Sequence, residues 1–357
     1  MARQFLIKVP ASSANIGPGF DVLGIGLNLY LELTITVDEE KYGEESKSDP
    51  TNCLLSYEGE GANDVPLNSE HNLITRTALY VLRCNKIRQF PLGTKIHVNN
   101  PIPLGRGLGS SGAAVVAGVM LGNEIGNFGF SKQRMLDYCL MIERHPDNIS
   151  AAMMGGFVGS YLRELSKDDL IRVEIPLSEV LPEPAGGKDT GLVPPEPPVD
   201  IGKHIKYGWS KEIRCIAIIP NFEVSTAKSR GVLPDLYEKK DVIYNLQRIA
   251  VLTTALTLSP PNPDLIYPAM QDKLHQPYRK TLIPGLTEIL ASITPESHPG
   301  LLGICLSGAG PTILALADKN FEAIAETIIE GFKKENVECR WKLLDPAFEG
   351  AVVEQKK

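Results

Sequence analysis

"PIPLGRGLGSSGAA", residues 101–114, sets four glycines and two serines between a pair of prolines and an apolar run. Glycine loses more conformational freedom on folding than any other residue, so a cluster of them marks backbone that must approach something closely or turn left-handed. Phosphate is the first candidate. Gly107 to Gly112 spell G-x-G-x-x-G, but the run lies about a hundred residues into the chain rather than in a first strand-turn-helix. The stretch about 20 residues on, "GFSKQRM", opens a helix where a dinucleotide site needs an acidic strand end. A P-loop would need a lysine before Ser110 or Ser111, and a hydrolase elbow G-x-S-x-G fails at both serines. What remains is a loop whose N–H groups, with the helix opening near Ser110, form an anion nest. The alternative is a tight turn that packs a helix onto a sheet.

The two serines favour a nucleotide. A hydroxyl at Ser110 can join the coordination sphere of Mg²⁺ while N–H groups hold phosphate oxygens. A carboxylate should then lie opposite, and Glu143 in "MIERHPDN" is the candidate; otherwise it is an ordinary helix-end carboxylate. A second glycine-rich island, "ASSANIGPGFDVLGIGL" at 11–27, places Asn15 and Asp21 among apolar neighbours. They either build turns or meet a ligand carrying an ammonium and a hydroxyl. "VSTAKSRGVLP" supplies Thr226 and Arg230 and "LHQPYRKTLIPG" supplies Arg279; the two arginines offer planar forks for a small carboxylate, unless they are simply solvated. "LSGAGPTILAL" at 306–316 is a third glycine turn, and its Gly308 and Gly310 could brace the first loop.

At 357 residues the chain has room for two domains, divided as 1–175, a proline-rich linker or insertion at 176–210, and 211–357. With 43% apolar and 22% charged residues it reads as globular, and a net charge of −7 argues against nucleic acid or anionic lipid as partners. Six scattered cysteines read as buried free thiols, and neither a signal sequence nor a membrane helix is written in the chain, so the expected location is the cytoplasm. Alternation predicts strands at 4–9 and 29–37, and an acidic loop at 38–52 follows. Helices are expected over 72–84 after Asn72, from 113 to 125, and from Ser131 to Pro146; "GTKIHVNN", "GGFVGSYL" and "RVEIPL" read as strands. The second half adds strands at 213–220, 303–316 and 338–344 and helices at 242–257, 285–293 and 321–336, an α+β arrangement with helices on one face of a mainly antiparallel sheet.

Taken together, the three islands resemble the motifs of the GHMP kinase family, in order: 10–26, the phosphate loop, and "SGAGPT" at 307–312. "PASSANIGPGFDVLGIGL", "HPDN" at 145–148, "STAKSR" at 225–230 and "HQPYR" at 275–279 look like the branch that phosphorylates homoserine. The acidic stretch near 38–66 and the proline-rich one near 182–210 look like additions of a fungal type. The resemblance implies a two-domain α+β fold, an N-terminal ribosomal protein S5 domain 2-like domain and a C-terminal ferredoxin-like sandwich, with the site between them. It implies ATP-dependent phosphorylation of the L-homoserine hydroxyl to O-phospho-L-homoserine for threonine biosynthesis, with Mg²⁺, in a homodimer.

Carried over by residue, the resemblance implies that Ser110 and Glu143 hold Mg²⁺. The backbone of Pro103, Leu104, Gly105, Arg106, Gly107, Leu108, Gly109, Ser110, Ser111 and Gly112 wraps the ATP phosphates. Asn15, Asp21, His145, Asn148, Arg230 and Arg279 hold homoserine, and Thr226 lies near the transferred phosphoryl group. Mevalonate kinase-like relatives carry a catalytic aspartate where this chain has Asn148, so no dedicated base is expected; Asn148, Thr226 and Arg230 act by orientation and charge. A kinase for another alcohol, such as mevalonate or shikimate, and a non-catalytic sensor of ATP or an amino acid are the alternatives.

Overall fold

The computed structural model describes residues 2–170, 189 and 191–355. The chain opens with two long strands, β1 (Arg3–Ala14) and β2 (Leu23–Val37), paired antiparallel from Arg3 opposite Val37 to Ala14 opposite Gly24. Phe5, Ile7 and Val9 on one and Leu31, Leu33 and Ile35 on the other are buried, as alternate side chains on one face must be. From Val9 onward every residue of β1 is buried, because helices pack one face while the second half of the chain closes on this end of the strand.

The acidic stretch holds more structure than a loop. Helix α1 (Glu39–Ser46) is capped by Asp38, which accepts the Lys41 N–H at 3.1 Å, and its first turn carries Glu39 and Glu40. Cap and dipole thus supply what apolar periodicity does not. Strand β3 (Cys53–Gly59) follows, then α2 (Leu73–Cys84), capped by Asn72 as expected, and β4 (Thr94–Asn100), which runs parallel to β3. The glycine loop leads into α3 (Ser110–Gly126), buried on almost every side. Helix α4 (Lys132–Ile142), capped by Ser131, stops sooner than expected. Pro146 does not end it but starts α5 (Pro146–Met154), since proline suits a first helical position.

After β5 (Phe157–Leu162) and the short α6 (Lys167–Leu170), the expected strand "RVEIPL" and the first part of the proline-rich segment lie outside the described residues. The stretch that follows is not a free linker. Arg134 donates to the Pro197 carbonyl at 2.9 Å, and Asp137 accepts the N–H groups of Asp200 and Ile201 at 3.0 and 2.9 Å. These bonds lay it across α4 and deliver β6 (Gly202–Lys206) to the edge of β5.

The second half contains β7 (Arg214–Pro220), α7 (Thr226–Gly231), α8 (Lys239–Ala255), α9 (Pro263–Ala269), α10 (Gln276–Arg279), α11 (Leu286–Ser292), β8 (Leu301–Leu306), β9 (Ile313–Ala317), α12 (Phe321–Lys333), β10 (Cys339–Leu344) and β11 (Val352–Gln355). The expected strand at 303–316 is two antiparallel strands, because the turn through Gly308 and Gly310 reverses the chain. A four-stranded antiparallel sheet, β10-β7-β9-β8, results. One face, with Ile216, Ile218 and Leu306, packs on Leu286, Ile289, Ile328 and Phe332 of α11 and α12. The other face joins the first core through Leu252 of α8 and Ile266 of α9. Burial on both faces explains the apolar runs of β7, β8 and β9, whereas the edge strand β10 carries Arg340 and Lys342.

The first sheet has seven strands, ordered β11-β1-β2-β4-β3 with β5 and β6 extending from β2. Its outermost member on one side is β11, the last strand among the described residues. Five of the six cysteines are buried free thiols, and Cys339 is half-buried. Among the described residues no helix is long and apolar enough to cross a membrane.

Candidate active site

Three glycine turns from distant parts of the chain meet in one place. The Ser12 N–H donates to the Leu108 carbonyl at 3.1 Å, the Ser307 hydroxyl donates to the Gly107 carbonyl at 2.6 Å, and the Gly308 N–H donates to the Ala14 carbonyl at 2.9 Å. Ser13 and Ser307 share a buried hydrogen bond of 2.7 Å. The third turn therefore does brace the first. Gly107 takes φ +81°, and a Cβ there would come within 2.3 Å of the Ser307 carbonyl oxygen; one at Gly109 would come within 2.0 Å of the Ser12 hydroxyl. Only glycine permits so close an approach.

Gly109 caps α3 without a side-chain hydrogen bond. The first N–H groups of a 17-residue helix thus face the cleft unpartnered by any cap, with the positive end of its dipole. Gly105, Arg106, Gly107, Gly109, Ser110, Ser111 and Gly112 line this cleft. Leu104 instead faces a neighbouring apolar pocket, whereas Pro103 and Leu108 do not line the cleft: both are buried, Leu108 within the main core. They shape the loop from beneath.

Glu143 ends α4 and points back at α3. Its carboxylate accepts the Ser111 hydroxyl at 3.1 Å, while the Ser110 hydroxyl lies 3.5 Å from the Asn100 amide. The serine nearest the carboxylate is thus Ser111, with Ser110 beside it in the same cleft. Burial alone would lower the His145 pKa, but the adjacent Glu143 carboxylate, 3.5 Å away, outweighs it and holds the imidazole above its ordinary value. No group of three or more His, Cys, Asp or Glu side chains suited to a metal occurs among the described residues. One carboxylate and two hydroxyls at a helix N-terminus fit a Mg²⁺ ion whose other oxygens come from phosphates and water, and do not fit a resident metal.

At the opposite end of the cleft Asp21 and Arg230 form a two-pronged ion pair at 2.9 and 3.2 Å. Asn15 holds Asp21 in place: both take positive φ, and the Asn15 amide oxygen accepts the Asp21 N–H at 2.9 Å. Arg279, 2% exposed, donates to the Gly308 and Ser229 carbonyls. Asn148 bonds the Ser12 hydroxyl through its oxygen at 3.0 Å, which leaves the amide N–H₂ for the cleft, and Thr226 lines the wall at the start of α7. Every substrate residue expected from the sequence is gathered here.

Sequence reasoning missed three features. Phe20 lies beneath both arginines, with guanidinium carbons 5.0 and 5.6 Å from its ring centroid, and stacks on the buried His275, whose Nε2–H donates to the Gly17 carbonyl. Asp147 lines the cleft with a wholly buried carboxylate. Beside the loop, Leu31, Tyr57, Val65, Leu73 and Leu104 line an apolar pocket that continues to Ser110 and Ser111. Its residues are dispersed from Leu31 to Ala114, so no local motif marks it.

An open helix N-terminus, a carboxylate beside its serines and an ionic pocket facing both suit the class of two-domain phosphotransferases that act on small molecules. The GHMP kinases N terminal domain matches residues 72–156 and the GHMP kinases C terminal domain residues 258–334. The homoserine kinase of Saccharomyces cerevisiae is 71% identical over 358 residues, covering 100% of both chains, and that of Schizosaccharomyces pombe 54% identical over 351 residues, covering 98% of this chain and 99% of the relative. The crystal structure of homoserine kinase from Cytophaga hutchinsonii superposes with a TM-score of 0.74 at 24% identity, covering 99% and 98% of the two chains. Mevalonate kinase from L. major has the same fold at a TM-score of 0.59 and 14% identity, covering 95% of each chain. The chain belongs to the GHMP kinase family. Within that family its full-length similarity is to homoserine kinases.

Proposed function

We propose that this chain transfers the γ-phosphoryl group of ATP to the side-chain hydroxyl of L-homoserine, giving O-phospho-L-homoserine for threonine biosynthesis. The observation that carries the choice of substrate is the Asp21–Arg230 pair beside Arg279, facing the N-terminus of α3 across one cleft. An amino acid brings one ammonium and one carboxylate, so it can replace that pair charge for charge. Arg230 and Arg279 then hold the carboxylate while Asp21 and Asn15 face the amino group, which turns the side-chain hydroxyl toward the phosphates.

Glu143 with Ser110 or Ser111 would hold a Mg²⁺ ion, which would supply neutralisation of phosphate charge there. The N–H groups of the loop and of the first turn of α3 orient the phosphates and stabilise the charge that builds on the leaving oxygen. Asn148 directs an amide N–H at the reacting region, and its oxygen is engaged by Ser12. In transfer, a bond forms between the substrate oxygen and the γ-phosphorus, the bond to the β-γ bridging oxygen breaks, and the hydroxyl proton passes to a phosphoryl oxygen without a dedicated base. Adenine enters the apolar pocket beside Leu104, whose aliphatic and Tyr57 surfaces suit a flat base. Initial rates with homoserine, mevalonate, shikimate and galactose side by side test the assignment. ATP consumption independent of homoserine, or none, would sink it.

Two further readings rest on surface and composition. Helix α8 exposes Val242, Ile243, Leu246 and Val251 on one side, which supports a homodimer through that face. Light scattering at micromolar concentration should give about twice the chain mass. Buried free thiols suit a reducing compartment such as the cytoplasm.

A further inference from the structure

The Asp147 side chain stands apart from every other polar group in the cleft. It is 1% exposed, both carboxylate oxygens are buried without a hydrogen-bond partner of normal geometry, and yet it lines the cleft. A carboxylate buried this way is costly unless a cation or a proton joins it. It is also held firmly: Pro146 precedes it at the start of α5, and its carbonyl oxygen packs where a Cβ on Gly24 would lie only 2.2 Å away.

Its neighbours say which cation. The charged groups facing it are Asp21 from the turn between β1 and β2, His145 at the start of its own helix, and Arg279 from α10. Arg230, on α7, is occupied by Asp21. The nearest backbone N–H groups are those of Asn148 and Asn15, so Asp147 belongs to the Asn15–Asp21 end of the cleft. The next side chain, Asn148, faces the other way, bonded to Ser12 and packed by Gly112 at the start of α3. Consecutive residues therefore serve opposite ends of the substrate.

We infer that Asp147, together with Asp21, receives the ammonium group of the amino-acid substrate. This rests on the homoserine reading above. In the empty cleft Asp21 is paired with Arg230, and below about pH 7 Asp147 carries a proton. When the substrate arrives, its carboxylate takes Arg230, and its ammonium settles between two released carboxylates while the Asp147 proton passes to solvent. An alcohol without an amino group leaves Asp147 buried and uncompensated, so the residue selects for amino acids.

The test compares homoserine with 4-hydroxybutyrate, which keeps the carboxylate and hydroxyl but lacks the amine. In Asp147→Asn the KM for homoserine should rise roughly 30-fold or more, with kcat changed less than about threefold. The KM for ATP should hold, and turnover of 4-hydroxybutyrate should stay level or improve. Equal losses for both substrates, or a fall confined to kcat, would place Asp147 at the hydroxyl or in the scaffold and overturn the proposal. A measurement on the unaltered enzyme stands beside it: homoserine binding, followed by calorimetry in buffers of different ionisation enthalpy, should release a proton near pH 6.5 and release little near pH 9. Binding with no proton release near pH 6.5 would overturn the proposal as well. If the unaltered enzyme fails to turn over homoserine, the function falls; if it succeeds and the variant keeps its KM, only the inference does.

Discussion

Glu143 and Asn148 stand on either side of the same short turn, yet the structure assigns them unequal weight. Glu143 is the carboxylate facing the α3 serines, so Glu143→Ala should lower kcat by roughly 10³-fold or more. Asn148→Ala should cost only a few-fold, since one side of that amide is already committed to Ser12. Steady-state kinetics at saturating Mg²⁺ would check both, and similar losses would contradict the assignment. Asp147 makes a prediction about stability. Burial, and then the Asp21 charge, push its pKa up to about 7, with His145 and the N–H groups of Asn148 and Asn15 offsetting only part. A carboxyl raised on folding binds its proton more tightly folded than unfolded, so raising the pH from about 4 to 7 removes stability, and above that the penalty is constant. Asp147→Asn escapes this. Its melting temperature should gain on the parent as pH rises from about 5 to 8, and a pH-independent difference would refute the buried charge. The Glu143 and Asp21 positions were legible in the sequence because each breaks an apolar or glycine-rich stretch. Asp147 was not: an aspartate in the first turn of a helix is ordinarily a solvated partner of the dipole, and nothing local distinguishes the buried case. The choice between Ser110 and Ser111 is likewise a matter of about 100° around a helix, which letters alone do not settle.

At the scale of elements, the loop before α3 works because its backbone is pressed against two other turns. Gly107→Ala would add strain at positive φ and drive a methyl into the Ser307 carbonyl. ATP affinity measured by calorimetry should drop at least about tenfold, and the melting temperature by a few degrees. Unchanged ATP affinity would mean that the loop holds the phosphates some other way. Elements with strong apolar periodicity or a side-chain cap were readable: α2 after Asn72, α4 after Ser131, and the alternating part of β1. The less regular ones were not. α1 is too polar to show an apolar face, and α5 hides behind a proline that equally well ends one helix or begins another.

For the whole molecule, periodicity tells which face of a strand is buried but not which strand lies beside it, and here the pairing departs most from chain order. β11 leaves the second half and pairs with β1, from Phe5 opposite Gln355 to Lys8 opposite Val352. Removing residues 351–357 should therefore weaken the nucleotide-binding half rather than the half that precedes the cut, lowering the melting temperature by roughly 5–10 °C and loosening ATP binding. Amide exchange would show the loss in β1; protection lost only in β10 would refute it. The same return has a consequence for the order of synthesis. As the chain leaves the ribosome, β1, β2 and the phosphate loop are out early, but the turn at 307–310 that braces the loop and the strand β11 that covers the edge of β1 emerge only with the second half. The first sheet thus waits on β11, and a product cut short before that strand is left with an open strand edge that invites association with other chains.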